Sequence, residues 1–220
     1  MKIGLVFLLV LVISTNTLCI AEKHNKLSMT TDKETCKSGI DTAVLGAGCF
    51  WCVEAIYKQL KGVIKVIPGY SGGNVKNPSY REVCTGSTGH AEVCEVIFDN
   101  EVISFDEILE VFWLIHDPTS VNQQGNDIGT QYRSAIFYRN EKQKETALEY
   151  KNMLTSSGAY KKPIATDISL FTSFYRAEDY HQDYYDLNKK APYCVYVIEP
   201  KIEKFRKVFK DKLKKGATSH

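Results

Sequence analysis

Of the residue types in this 220-residue chain, cysteine offers the most chemistry, and Cys49 stands where that chemistry is favoured. The segment Gly46-Ala47-Gly48-Cys49-Phe50-Trp51-Cys52-Val53-Glu54 passes from an apolar stretch through glycines into a helical pattern, so Cys49 falls in the first turn of a helix. Unpaired N–H groups and the positive end of the helix dipole favour thiolate there, which is expected to lower the thiol pKa from about 8.5. Aromatic side chains beside such a sulfur give a soft nucleophile a dry pocket to work in. Cys52, three positions on, makes a C-x-x-C pair at a helix start, a redox geometry. A carboxyl such as Glu92, taken on residue type alone, is a solvated group at a strand edge.

Those side chains need a scaffold, and hydrophobic periodicity supplies one. Residues 42–45 read as a strand, and 49–61 as a helix with Val53, Ile56, Tyr57 and Leu60 on one face, ended by Gly62. Residues 63–67 form a second strand. The stretch 68–90, rich in Gly, Asn, Ser and Pro, reads as a long functional loop. A strand over 93–98 is followed by a capping box, Ser104 with Glu107, that opens a helix with the stripe Phe105, Ile108, Leu109 and Phe112. A second polar loop (117–131), a strand (134–138), a helix (141–156) and a strand (164–168) follow. The order β-α-β-loop-β-α-β predicts an α+β fold. It is the split β-α-β, ferredoxin-like two-layer sandwich, with a mixed or antiparallel sheet, long loops and helices on one face. An aromatic-rich segment (171–185) and a basic amphipathic helix with the stripe Ile202, Phe205, Phe209 and Leu213 close the chain. That apolar stripe is expected to dock on the core.

Composition sets the outer bounds. A hydrophobic fraction of 44% and a charged fraction of 25% exclude a disordered or fibrous chain. A net charge of +2 argues against a nucleic-acid binder. Residues 1–21 have the shape of a secretory signal: Lys2, an apolar run over 3–13, and small residues at Cys19 and Ala21. They predict an exported (periplasmic or secreted) protein, with an uncleaved membrane tether as the alternative. Residues 22–40 read as a flexible leader, 41–215 as one domain and 216–220 as a tail. Cleavage leaves Cys36, Cys49, Cys52, Cys84, Cys94 and Cys194. A chain this long can bury a core without staples, so some of these thiols are free for other work.

Four ordered blocks carry a resemblance. They are Gly48-Cys49-Phe50-Trp51; Asn77-Pro78-Ser79-Tyr80-Arg81-Glu82-Val83 through Gly89-His90-Ala91-Glu92; His116-Asp117-Pro118 with Gln124-Gly125-Asn126-Asp127-Ile128-Gly129-Thr130-Gln131-Tyr132-Arg133-Ser134; and Ala177-Glu178-Asp179-Tyr180-His181-Gln182. Together they resemble the A-type peptide methionine sulfoxide reductases, from about Thr42 to Phe209. The resemblance implies thiol-dependent reduction of methionine-(S)-sulfoxide, in proteins and as the free amino acid. Cys49 would be the nucleophile, Glu92 the proton donor, and Tyr80 and Tyr132 the hydroxyls holding the sulfoxide oxygen. Phe50 and Trp51 would receive the ε-methyl group, with Asp127, His181 and Tyr184 framing the pocket. Holding such a glutamate half neutral at pH 7 costs about 3.7 kcal/mol, within reach of burial. The Cys49 sulfenic acid left behind would condense with a second thiol. Cys194 lies where many members place that thiol but lacks the usual glycines around it; Cys52 and Cys84 are the other candidates. The resemblance implies no metal or organic cofactor, electrons from a thioredoxin-like dithiol protein, oxidised proteins as partners, and a monomer.

Other classes make distinct claims on the same residues. A papain-like hydrolase would pair Cys49 with His181 and orient it through Asn188. A structural zinc site would draw on Cys49, Cys52, Cys84, His90 and Cys94, although the spacing of the second pair is wrong. A disulfide-stapled binding domain would leave few thiols free. Cys94 is expected to be packed, and Cys36 to be a leader thiol.

Overall fold

A computed structural model describes residues 39–216. The expected signal, most of the leader and the last four residues, with Cys36, lie outside the described residues. None of the described helices is long and apolar enough to cross a membrane.

The framework is a six-stranded mixed sheet in the order β7 (Asp167–Leu170), β6 (Ser134–Tyr138), β1 (Ile40–Ala47), β3 (Ala91–Asp99), β2 (Val63–Ser71), β8 (Phe174–Arg176). Strand β1 (Ile40–Ala47) runs into α1 (Phe50–Tyr57), which crosses to β2 (Val63–Ser71). Strand β3 (Ala91–Asp99) inserts antiparallel between β1 and β2, and β6 (Ser134–Tyr138) pairs antiparallel on the far side of β1. This is the expected split β-α-β arrangement. Helix α3 (Phe105–Ile115) opens on the expected capping box, Ser104 Oγ accepting from the Glu107 N–H while Glu107 accepts from the Ser104 N–H. Helix α4 (Glu141–Ser156) lies against β6 and β7.

Side-chain alternation divides the strands between two clusters. Ala43, Leu45 and Ala47 of β1 and Cys94, Val96 and Phe98 of β3 enter the main core under α1, α3 and the C-terminal helix. Val44, Ala91, Val93, Ala135 and Phe137 form a smaller cluster on the opposite face, covered by Phe171 and Phe174. The period of two therefore turns Glu92 toward α1, beside Cys94.

Several expectations shift. Helix α1 ends at Tyr57, four residues before the expected end, and Gly62 (φ +82°) sits in the turn beyond it. The stretch 68–90 is not all loop: β2 continues through Pro68 to Ser71, and α2 (Tyr80–Cys84) opens on a second capping box, Ser79 with Glu82. Pro68 cannot donate to the ladder, but its carbonyl accepts from Ala177 N–H and Gln182 Nε2. The loop 117–131 contains a small hairpin, β4 (Gln123–Gln124) and β5 (Asp127–Ile128). The last expected strand lies at Asp167–Leu170 (β7), parallel to β6, because the Ala165 N–H is taken by the Pro118 carbonyl just before it. The aromatic segment contributes β8 (Phe174–Arg176), which packs so closely on β2 that a Cβ at Gly69 would meet the Phe174 ring at 2.3 Å. After the short helix α5 (Tyr184–Leu187) and a π-helical turn (Cys194–Ile198), helix α6 (Glu199–Val208) buries Ile202 and Phe205 as expected. Phe209 caps α6, and Leu213 lies beyond the helix, bridged to Leu60.

Candidate active site

The site gathers at the amino end of α1. Cys49 is its N-cap residue, almost fully buried, and its side chain makes no capping bond. The turn before it requires Gly48: φ is +87°, and a Cβ there would lie 2.6 Å from the Gln124 side chain. Gln124 is itself fixed by two bonds to the Asp117 backbone (3.0 and 3.1 Å). The anion-accepting place at the helix start is taken by Glu92, whose Oε2 accepts the Phe50 N–H at 3.1 Å.

Glu92 is 1% exposed. Burial pushes its pKa up to about 8, the negative Asp127 and Cys52 push the same way, and the Phe50 N–H opposes them. The carboxyl is therefore mostly protonated at neutral pH. Tyr80 and Tyr132 face this carboxyl, and burial raises both phenols well above the ordinary value.

The thiols depart from expectation. Cys49 is raised, not lowered: burial dominates, and the neighbouring Cys52 and Glu92 add to it, against the adjacent Tyr193 hydroxyl. Cys52 is the lowered member of the pair, through the hydrogen bond from Cys49 and then the Lys201 ammonium, with burial opposing. The helix start did not lower Cys49 because Glu92 occupies the Phe50 N–H and water is excluded.

Aromatic rings wall the site. Tyr184 stacks on Trp51 (centroids 3.6 Å apart, 7° between planes), and Tyr193 meets the same ring edge-on. Trp51 Nε1 donates to His181 Nδ1 at 3.2 Å. His181 is 1% exposed, its ring 4.9 Å from Phe50 and 4.4 Å from Tyr80 between centroids. Burial lowers its pKa, so the ring is neutral and carries its proton on Nε2. The Tyr193 hydroxyl donates to Asp127 Oδ2 at 2.7 Å, tying β5 to the C-terminal segment.

Cys49, Glu92, Tyr80, Tyr132, Phe50, Trp51, Asp127, His181 and Tyr184 are thus brought together around one end of α1. Of the resolving candidates, Cys52 adjoins Cys49, exposed Cys84 lies on α2 against the Tyr80 hydroxyl, and Cys194 is fully buried in the π-helical turn. Three residues were missed. Tyr193 touches Cys49. Lys201 touches Cys52. Glu178 anchors α2, accepting the Tyr80 N–H and the Tyr70 hydroxyl at 2.8 Å each. Glu178 sits inside the motif block 177–182 and Tyr193 directly precedes Cys194; nothing in the sequence singles out Lys201.

The competing classes do not fit this geometry. His181 faces Trp51, and Asn188 Nδ2 donates to the Tyr184 carbonyl, so no hydrolase dyad is oriented toward Cys49. Both His90 nitrogens are engaged, with Gly73 N–H and the Val75 carbonyl, and no three His, Cys, Asp or Glu among the described residues group to hold a metal. The five described cysteines form no disulfide, contrary to a stapled binding domain. Cys94 is packed, its thiol 3.4 Å from the Phe50 carbonyl.

Comparison with known proteins is consistent across sequence and structure. A family model described as peptide methionine sulfoxide reductase matches residues 41–213. The chain is 55% identical over 175 residues to peptide methionine sulfoxide reductase MsrA of Saccharolobus solfataricus, covering 80% of this chain and 98% of that one. To MsrA of Thermus thermophilus it is 51% identical over 174 residues, covering 79% and 98%. Reduced Mxr1 of Saccharomyces cerevisiae superposes with a TM-score of 0.66 at 35% identity, covering 74% of this chain and 94% of the yeast chain. Methionine sulfoxide reductase A of Corynebacterium diphtheriae gives 0.61 at 36% identity, covering 70% and 77%. A match spanning nearly the whole described domain, on a fold shared with both solved enzymes, places the chain in the peptide methionine sulfoxide reductase family.

Proposed function

We propose that this protein reduces methionine-(S)-sulfoxide, in oxidised proteins and as the free amino acid, with Cys49 as nucleophile and Glu92 as acid. The observation that carries this reading is a carboxyl kept protonated by burial at the helix end that presents Cys49. A sulfoxide sulfur accepts a nucleophile only when its oxygen is protonated or strongly hydrogen-bonded, and Glu92 with the Tyr80 and Tyr132 hydroxyls supplies that. As substrate enters, the Cys49 proton passes to Cys52, already its hydrogen-bond partner. The Cys49 thiolate attacks the sulfoxide sulfur while Glu92 protonates the oxygen. Collapse transfers the hydroxyl to Cys49, giving a sulfenic acid and methionine: the cysteine sulfur is oxidised by the two electrons that reduce the substrate.

Cys52 then resolves. The proton it took from Cys49 passes to the departing oxygen as its sulfur attacks the Cys49 sulfur; the S–O bond breaks, water leaves, and a Cys49–Cys52 disulfide forms. Its contact with Cys49 favours it over Cys194 and Cys84. Thioredoxin or a similar dithiol protein returns the pair to thiols, with no metal or organic cofactor. Cys49→Ser should abolish methionine formation. Mass mapping of the disulfide formed in one turnover with a methionine sulfoxide peptide should give Cys49–Cys52; a Cys49–Cys194 link would reassign the resolving role. Residues 1–21 act as an export signal in this reading, supported by Lys2, the apolar run and the small residues before position 22. Amino-terminal sequencing of protein from cell fractions tests that, and a chain starting at Met1 in the cytoplasm would refute it.

A further inference from the structure

Helix α6 brings one cation to the thiol pair. Its buried residues Ile202 and Phe205, with Ile198 just before it, dock the helix on the core. Lys201 lies one helical step from Ile198 and Phe205, on the same side of α6. Its ammonium reaches Cys52 Sγ at 3.6 Å. Among the described residues no carboxylate forms an ion pair with Lys201, so this ammonium is not neutralised by a closer partner. The titratable groups facing Cys52 come from every element around it. They are Cys49 at the start of α1, Glu92 and Cys94 from β3, Asp127 from β5, and Tyr193 and Cys194 from the C-terminal segment. All of these are neutral or negative when they ionise. Lys201 is the one positive group in the set.

We propose that Lys201 holds Cys52 as the thiolate that resolves the Cys49 sulfenic acid, so that the chain's last helix sets the reactivity of a pair borne on its first. The ammonium donates to the sulfur and offsets the cost of a negative charge in a site that excludes water. It takes no part in the bonds made and broken: Cys52 attacks Cys49, the S–O bond breaks, and water leaves. Burial supports the same assignment, because a thiolate this deep persists only beside a cation or strong donors. The proposal rests on the reading that Cys52 is the resolving thiol.

The test is the pH profile of resolution in the full-length protein. Sulfenic acid lifetime after one turnover is followed by dimedone trapping from pH 5 to 9 in the wild type, Lys201→Met and Lys201→Arg, with the product disulfide mapped by mass. Loss of the cation should move the midpoint of the resolution rate upward by about 1 pH unit or more, and slow resolution near pH 6 roughly tenfold. Lys201→Arg should restore the wild-type midpoint. A purely structural role would slow resolution equally at every pH, so an unshifted midpoint in Lys201→Met overturns the proposal. A wild-type map showing Cys49–Cys194 instead overturns the reading beneath it, and the two failures are told apart by the map.

Discussion

Replacing Glu92 with Gln tests the site's electrostatics in two independent ways. The ordinary carboxyl near 4.5 is raised to about 8 here, so between those pH values the folded protein holds a proton that the unfolded chain has lost. Linkage then lowers stability by about 1.4 kcal/mol for each pH unit in that window. The folded state is fully stabilised, relative to higher pH, below about 4.5, and has lost about 5 kcal/mol by pH 8. At pH 7 the accumulated loss is about 3 kcal/mol. Glu92→Gln accepts the Phe50 N–H through its amide oxygen but cannot titrate. Urea unfolding of both proteins at pH 5, 6, 7 and 8 should therefore show the variant gaining on the wild type at each step and levelling above pH 8. Catalysis should move the other way. Without a transferable proton, single-turnover methionine formation at pH 7 should fall by about 10²–10⁴. Parallel stability curves would show that Glu92 is ionised in the fold, and a variant turning over within threefold of wild type would remove it as the acid.

Other substitutions probe the frame. Gly48→Ala combines a positive φ with a clash against Gln124, and should cost at least about 2 kcal/mol, read as a thermal midpoint lowered by roughly 4–8 °C. A shift under 2 °C would show that the turn relaxes freely. Trp51→Ala removes the stack with Tyr184 and should raise KM for a methionine sulfoxide peptide tenfold or more. Trp51→Phe, which keeps an aromatic face but loses the bond to His181, should stay within a few-fold of wild type; equal effects would refute the stacking role. Glu178→Ala frees the Tyr80 N–H and the Tyr70 hydroxyl and should lower kcat/KM about tenfold. Glu178→Gln, able to accept only one of the two bonds, should lie between, and an unaffected Ala variant would show that α2 is held by other contacts.

The split β-α-β core was legible because its strands and helices are long and strictly periodic. Ser104 with Glu107 marked a helix start, and the equivalent Ser79 with Glu82 was there to be read. It carries little signal, because α2 is only five residues long and lies in a stretch dominated by glycine, serine and proline. Strand β8 was hidden because its partner is a Pro-containing stretch of β2, and pairing is a tertiary fact that no local pattern announces. The ordered motif blocks located the site residues well. What they did not convey was the balance of burial against helix dipole at Cys49, since that depends on which carboxyl fills the helix end. Lys201 was invisible for the same reason: among many lysines on an amphipathic helix, only docking decides which one meets a sulfur.

The bond from the Phe50 N–H to Glu92 has a further consequence. While the acid is neutral that donor faces a weak acceptor; once the proton leaves, the same donor meets a full negative charge and the bond shortens and strengthens. The peptide group thus waits for the product of proton transfer rather than for the resting acid. The discomfort of a sequestered carboxylate is eased at the moment it is created, with no atom needing to travel, and re-protonation between turnovers must overcome the grip of that same amide.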